Sequence, residues 1–210
     1  MSDSKASSVT KAARRPMQER SMARITKVLE AAERMLEEVG PEKTSIPALA
    51  ETTGVPRAAI YPFFPEKYAL FSHLAMKHMD GLAQALTLSG DRQTRDWREW
   101  VDAAIKVAAD YYNTHPAASI LLLRGSFSDT DRAAHESKNV SLGALFRAKA
   151  ASLGALATLP AAPDAATIAI EIAFACMKHG YATEGRVSPE ICREATRAVI
   201  SYLGAWDEQG

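Results

Sequence analysis

A chain of 210 residues is long enough to bury a sizeable core, either in one large domain or in a small one plus a medium one. Apolar residues make up 47% and charged residues 24%, and 25 basic side chains balance 25 acidic ones, so this is an ordinary soluble composition whose neutral total argues for no charged partner by itself. No run approaches the ~18 uninterrupted apolar residues of a membrane span, and the N-terminus lacks the apolar middle of a secretion signal, so a cytoplasmic location is expected by default.

In chain order, residues 1–19 are rich in Ser, Ala, Lys and Arg, and the composition predicts a disordered basic arm. Residues 1–27 hold seven basic side chains (Lys5, Lys11, Arg14, Arg15, Arg20, Arg24, Lys27) against Asp3 and Glu19, which leaves the rest of the chain acidic. A first helix is predicted over 20–39, with Ile25, Val28, Leu29, Ala32, Leu36 and Val39 as its apolar stripe, and Gly40-Pro41 stops it.

The stretch 44–70 then reads as two short helices joined by a tight turn. Thr44 or Ser45 can cap the first with a side-chain oxygen. Ile46, Leu49 and Ala50 share one face. Gly54 suits the left-handed backbone of a tight helix exit, and Val55 can plug the turn from inside. Pro56 fits the first position of a new helix, Ile60 points to the core, and Pro62 and Pro65 keep this second helix short. A helix, a glycine turn and a short second helix make a helix-turn-helix.

Glu66-Lys67 opens a longer helix to about residue 88, which Ser89-Gly90-Asp91 breaks. Asp96 caps a helix over 97–114, ended by His115-Pro116. The apolar run 117–127 is read as a short buried helix because its surroundings are helical. A long Ala-rich helix is predicted over 131–156, followed by Pro160 and Pro163. Asp164 caps a helix to about Tyr181, and Ser188-Pro189 opens the last, to about Trp206. These last two are apolar on more than one face and need burial on two sides, one of which a second subunit can supply.

Thr44, the Ile46/Leu49/Ala50 trio, Gly54-Val55, Ile60-Tyr61, Phe64, Lys67 and Leu70 together resemble the DNA-binding domain of TetR-family transcriptional repressors. The resemblance covers roughly residues 20–75, about a quarter of the chain. It implies an all-α protein: a three-helix helix-turn-helix domain over 20–66, behind the arm of 1–19, and a larger helical-bundle domain over 67–210 for ligand binding and dimerisation. The implied partners are double-stranded palindromic operator DNA, a small-molecule effector and a second copy of the chain. The basic arm is then either a solvated leader or a DNA-tracking segment.

On this reading the candidate DNA contacts are Thr44, Ser45, Arg57, Ala58, Ala59, Tyr61 and Lys67. Arg57 has the fork that pairs with guanine or a phosphate. Tyr61 and Lys67 suit the phosphate backbone, and Thr44 and Ser45 lie at a helix start with free N–H groups. The pocket expected of the larger domain would draw on Trp100, Tyr111, Arg124, Phe127, Phe146, Phe174 and Met177, with Trp97 and Tyr112 as further candidates for the lining, although most such residues in a helical domain are plain core. Ile172, Val199, Ile200 and Leu203 are the candidate dimer contacts.

Two departures from the family stand out: Pro56, where Ser or Thr is usual, and Pro62, where His is frequent. Neither proline offers a hydroxyl or an N–H, which motivates the alternative of an all-α ligand-binding or interaction protein that has lost sequence-specific DNA binding. An enzyme has no positive support. His73 and His78 are five apart and share no helix face, His115, His135 and His179 are isolated, and no acid–base pair or Gly-rich phosphate loop is present, so no catalytic residue, metal or cofactor is expected. Cys176 and Cys192 have no metal-ligand spacing and read as reduced core thiols, with a disulfide as the alternative.

Overall fold

Capping residues and apolar periodicity place most of the helices where the sequence predicts them. The structure, a computed structural model, describes the backbone of residues 4–89, 96–124 and 129–207; of 4–18, 89, 129–135, 137 and 138 it describes the backbone alone. The chain divides into two units, Met1–Phe71 and Ser72–Gly210. All described regular structure is helical.

In the first unit, α1 (Ser4–Lys43) packs on α2 (Ile46–Thr53) and α3 (Arg57–Ile60), and α4 (Lys67–Ser89) begins there. The helix thus starts well before residue 20, where a disordered arm is expected; the stretch includes the good helix formers Lys, Ala and Arg. Its basic side chains before residue 19 lie outside the described ones. Gly40 leaves the helical backbone at φ +80°, a conformation that favours glycine, and the chain turns there as Gly40-Pro41 predicts. Val28, Ala32 and Leu36 are fully buried, as are Leu49, Ile60 and Leu70, with Ile25, Ile46, Val55, Phe64 and Phe71 around them. Val39, the last residue of the expected stripe, is instead exposed, since it precedes the turn at Gly40.

The second unit holds the remainder of α4, α5 (Trp97–Thr114), α6 (Pro116–Ala118) leading into a π-helical turn (Ser119–Leu123), α7 (Asp129–Ser152), α8 (Ala165–Glu184) and α9 (Pro189–Gly204). The side chains of Asp96, Asp164 and Ser188 accept the expected N-cap hydrogen bonds from the N–H groups of Arg98, Ala166 and Ile191. The helix expected to run to residue 156 ends at Ser152, and Leu156 takes a positive φ of 56° in the loop beyond. Arg147 holds that loop: its guanidinium donates to the carbonyls of Leu159 and Pro160, both at 2.8 Å, and to Asp164 at 2.6 Å. α8 packs against α7 and α9, and α9 against α5. The turn between α8 and α9 is pinned by Asn113, whose amide donates to the Val187 carbonyl at 2.8 Å and accepts from the Val187 N–H at 3.0 Å. Among the described residues no helix is long and apolar enough to cross a membrane.

Candidate nucleic-acid interface and apolar cavity

The turn between α2 and α3 is built from its own polar groups. Gly54 caps α2 with a left-handed backbone at φ +69°. Thr53, buried, donates its hydroxyl to the Leu49 carbonyl at 2.6 Å and accepts from the Val55 N–H at 3.3 Å. Lys27 of α1 donates to the Thr53 carbonyl at 2.7 Å and ties the end of α2 to the first helix. Thr53 and Lys27 escape sequence reasoning as turn residues, because nothing in their local pattern reveals a bond spanning 26 positions.

This scaffold brings out one exposed face. Arg57, Ala58 and Tyr61 are exposed and Ala59 is half-buried, while Ile60 between them is fully buried and anchors α3. Pro56 is the N-cap of α3 with extended backbone (φ −57°, ψ 138°), one position earlier than expected, and it supplies no side-chain cap. Pro62 and Phe63 are also exposed on the chain after α3. A short helix with small side chains flanked by Arg57 and Tyr61 allows close approach of a groove, one charged fork and one phenol.

Three of the predicted contacts have other partners. Thr44 is fully buried and donates its hydroxyl to the Gly40 carbonyl at 2.8 Å, so it has no surface to offer DNA; this corrects its assignment as a DNA contact. Ser45, half-buried, is the N-cap of α2 and accepts from the Ala48 N–H at 3.3 Å. Lys67, half-buried, donates to the Pro41 carbonyl at 3.2 Å and lies 5.3 Å from the Tyr68 ring centre.

The second unit contains an apolar cavity of two chambers. The larger is about 370 Å³ and is walled by α4, α5, α7, α8 and α9, with Trp100 and Phe146 in mutual contact at 5.3 Å between ring centres. The smaller is about 90 Å³, is as open as the larger, and is lined by Met79, Tyr112, Leu122, Asn139, Phe174 and Met177 among others. The chambers share Leu86, Ala104, Ile105, Leu142, Ile170 and Ala173. Lys149, Thr87 and Ser152 are the polar residues of the larger chamber's wall. A chamber of this size with apolar walls and few polar groups suits a small organic molecule.

Of the predicted pocket residues, Trp100 and Phe146 line the larger chamber, and Phe174 and Met177 the smaller one. Tyr111 lines neither. It stacks on His115 at 4.2 Å with a 17° tilt, and its hydroxyl shares a hydrogen bond with His78 Nδ1 at 3.2 Å. Arg124 is exposed away from both chambers, and Phe127 lies outside the described residues. Tyr112, the neighbour in sequence to Tyr111, lines the smaller chamber instead; one step along the helix turns the ring by about 100°. Burial pushes the Tyr112 phenol well above its ordinary pKa, so it stays protonated.

Of the predicted dimer contacts, Val199 and Leu203 are buried inside the protomer, Val199 against the larger chamber, so their side chains offer no surface to a second copy. Both are corrected to core residues of α9. Ile172 and Ile200 stay half-exposed on α8 and α9. Cys176 is half-buried and Cys192 buried, both as free thiols, and burial raises both pKa values. Among the described residues no group of His, Cys, Asp and Glu is placed to hold a metal ion.

Residues 28–74 match the family described as bacterial regulatory proteins, tetR family. No curated protein is significantly similar in sequence to the whole chain. The fold is similar to that of a TetR-family transcriptional regulator from Streptomyces coelicolor (21% identity over 87% of this chain and 99% of the other, TM-score 0.67). It is also similar to a TetR-family regulator from Syntrophomonas wolfei (14%, 88% and 94%, TM-score 0.65) and to SmeT in its triclosan complex (18%, 90% and 93%, TM-score 0.58). The family match falls on the helix-turn-helix, and the likeness to these solved structures shows that the chain shares their fold.

Proposed function

We propose that this protein is a cytoplasmic, ligand-responsive transcriptional repressor. It binds palindromic operator DNA as a homodimer, through the exposed face of α3 with Arg57, Ala58, Ala59 and Tyr61, and a small molecule in the apolar cavity releases it. The observation that carries this reading is that one chain joins a matched helix-turn-helix with an outward α3 face to a second unit holding a chamber of about 370 Å³. The triclosan complex of the similar SmeT supports a small-molecule effector. Neither the helix-turn-helix nor the cavity needs a catalytic group, and the role is one of binding.

The palindrome follows from symmetry: two α3 helices related by a dimer axis reach major grooves one helical turn apart, about 34–36 Å, or a multiple of it. Ile172 and Ile200 are the half-exposed apolar residues of α8 and α9 that suit that axis. Ile200→Glu then shifts the protein toward monomer in sedimentation; a dimer unmoved by it places the interface elsewhere. The effector acts by preferring the conformation with the two α3 helices out of register. Coupling of this kind is typically about 1–3 kcal/mol and reciprocal, so operator DNA weakens effector binding by the same factor.

The test is selection of bound duplexes from a random pool by the purified protein. A palindromic consensus is expected. No enrichment would favour the alternative, an all-α ligand-binding protein in which Pro56 and Pro62 have removed the DNA contacts.

A further inference from the structure

The outward side of the α3 segment is almost without polar groups. The coil runs on past Ile60: the Tyr61 N–H donates to the Arg57 carbonyl at 3.0 Å, and the N–H groups of Phe63 and Phe64 donate to the Ile60 carbonyl at 2.9 and 3.0 Å. Residues four apart therefore pair along it. Ile60 and Phe64 are the buried pair. Ala58 and Pro62, about 160° round the coil from them, are both exposed. Arg57 and Tyr61 flank this central pair on one side, Ala59 and Phe63 on the other, and Tyr61 and Phe63 are each 44% exposed. Of the eight side chains from 57 to 64, only those of Arg57 and Tyr61 carry a polar atom.

That inventory limits which base edges the face can read. Adenine is read by amides, cytosine by carboxylates and guanine by a guanidinium or ammonium group, and the central pair has none of these. The feature of the major groove that an apolar side chain does match is the 5-methyl group of thymine. We propose that Ala58 and Pro62 read thymine, packing against the 5-methyl groups of A·T pairs in each half-site, with Arg57 beside them on a guanine or a phosphate. This rests on the reading of α3 as the DNA-contacting face and names the base chemistry of the operator it prefers. The contact removes apolar surface from water on both partners and neutralises no phosphate, so it adds specificity without steepening the salt dependence. Pro62, which offers neither a hydroxyl nor an N–H, then fits sequence-specific binding, because a thymine methyl asks for neither.

The test uses the full-length protein and the duplex that wins the selection from a random pool, with its thymines replaced by deoxyuridine one symmetric pair at a time. Deoxyuridine keeps every hydrogen-bonding group of thymine and lacks only the 5-methyl. At a contacted position each lost methyl should weaken binding about fourfold, the worth of one buried methyl-sized group, and the pair in two half-sites about fifteenfold. Ala58→Gly and Pro62→Gly should each bring the thymine-to-uracil ratio toward one at the position contacted. A variant that is merely less stable weakens binding to both duplexes alike and leaves that ratio where it was. A ratio near one at every thymine of the wild-type complex, or a ratio unmoved in both variants, overturns the assignment while leaving DNA binding by α3 intact, as does a selected half-site without an A·T pair. Failure to enrich any duplex, the result of a face built for a protein partner, defeats the DNA-binding reading beneath it.

Discussion

In the first unit, Leu36, Leu49 and Ile60, from three different helices, are all fully buried. In the second, Leu142, Ile170 and Phe174 are equally apolar but stay half-exposed, because they face a cavity rather than one another. The composition of the two walls is the same; what differs is whether the helices converge. The small unit uses its apolar residues to fix the shape of a turn and the angle of α3. The large unit holds α4, α5, α7 and α8 around an apolar space.

Truncation of a large side chain probes this difference most strongly. Leu49→Ala should cost about 2–5 kcal/mol in chemical denaturation, because a close-packed site cannot collapse around the loss. Ile170→Ala removes a side chain that already borders open volume, and should cost clearly less while enlarging the cavity. Equal costs would break the comparison. Next comes the crossing of α7 and α8. A Cβ on Gly143 would lie 2.9 Å from the Thr167 backbone N, which must shift to admit it. Gly143→Ala should therefore destabilise by about 1–3 kcal/mol and weaken the binding of an apolar fluorescent dye in the cavity between these helices; a neutral result would mean that the cavity walls adjust freely.

The smallest effect concerns pH. The hydrogen bond from Thr167 holds the Asp164 carboxyl below its ordinary pKa, with Arg147 adding to it. A depressed carboxyl contributes stability that is present above the unfolded value of about 3.9 and is lost as pH falls through the lower folded value. The group is partly exposed, so the contribution is screened and small. Thr167→Ala should flatten the loss of stability between about pH 5 and pH 3. An unaltered acid limb would show that Asp164 acts only as the cap of α8.

Much of the helix-turn-helix is legible in the sequence, because its devices are local. Gly54 takes the left-handed backbone, Ser45 caps α2, and Val55 and Ile60 face inward within a few residues of one another. Thr44 shows the limit of that logic: a threonine at a helix start looks like a cap or a phosphate contact, and only the fold reveals it turned back onto Gly40. Cavity residues are harder, since lining and core have the same composition and depend on which helices approach. Trp100 and Phe146 do line the space, yet Tyr111 and Tyr112 are adjacent and alike, and helix phase alone sends the second toward it. The surface of α9 fails for a related reason. Val199, Ile200 and Leu203 form one apolar series, but helical rotation buries the first and last and leaves Ile200 half-exposed.

The claim that the α3 face reads DNA is tested most directly by the affinity of the selected duplex across a salt series, for the wild-type protein and Arg57→Ala. The account predicts a steep fall for the wild type, about 0.9 log units of affinity per phosphate contact for each log unit of salt. Arg57→Ala should weaken binding by about 1–3 kcal/mol, with loss of preference at one base pair if Arg57 reads a base and a shallower salt slope if it holds a phosphate. A flat salt dependence, with equal affinity for a scrambled duplex and no effect of Arg57→Ala, would contradict it.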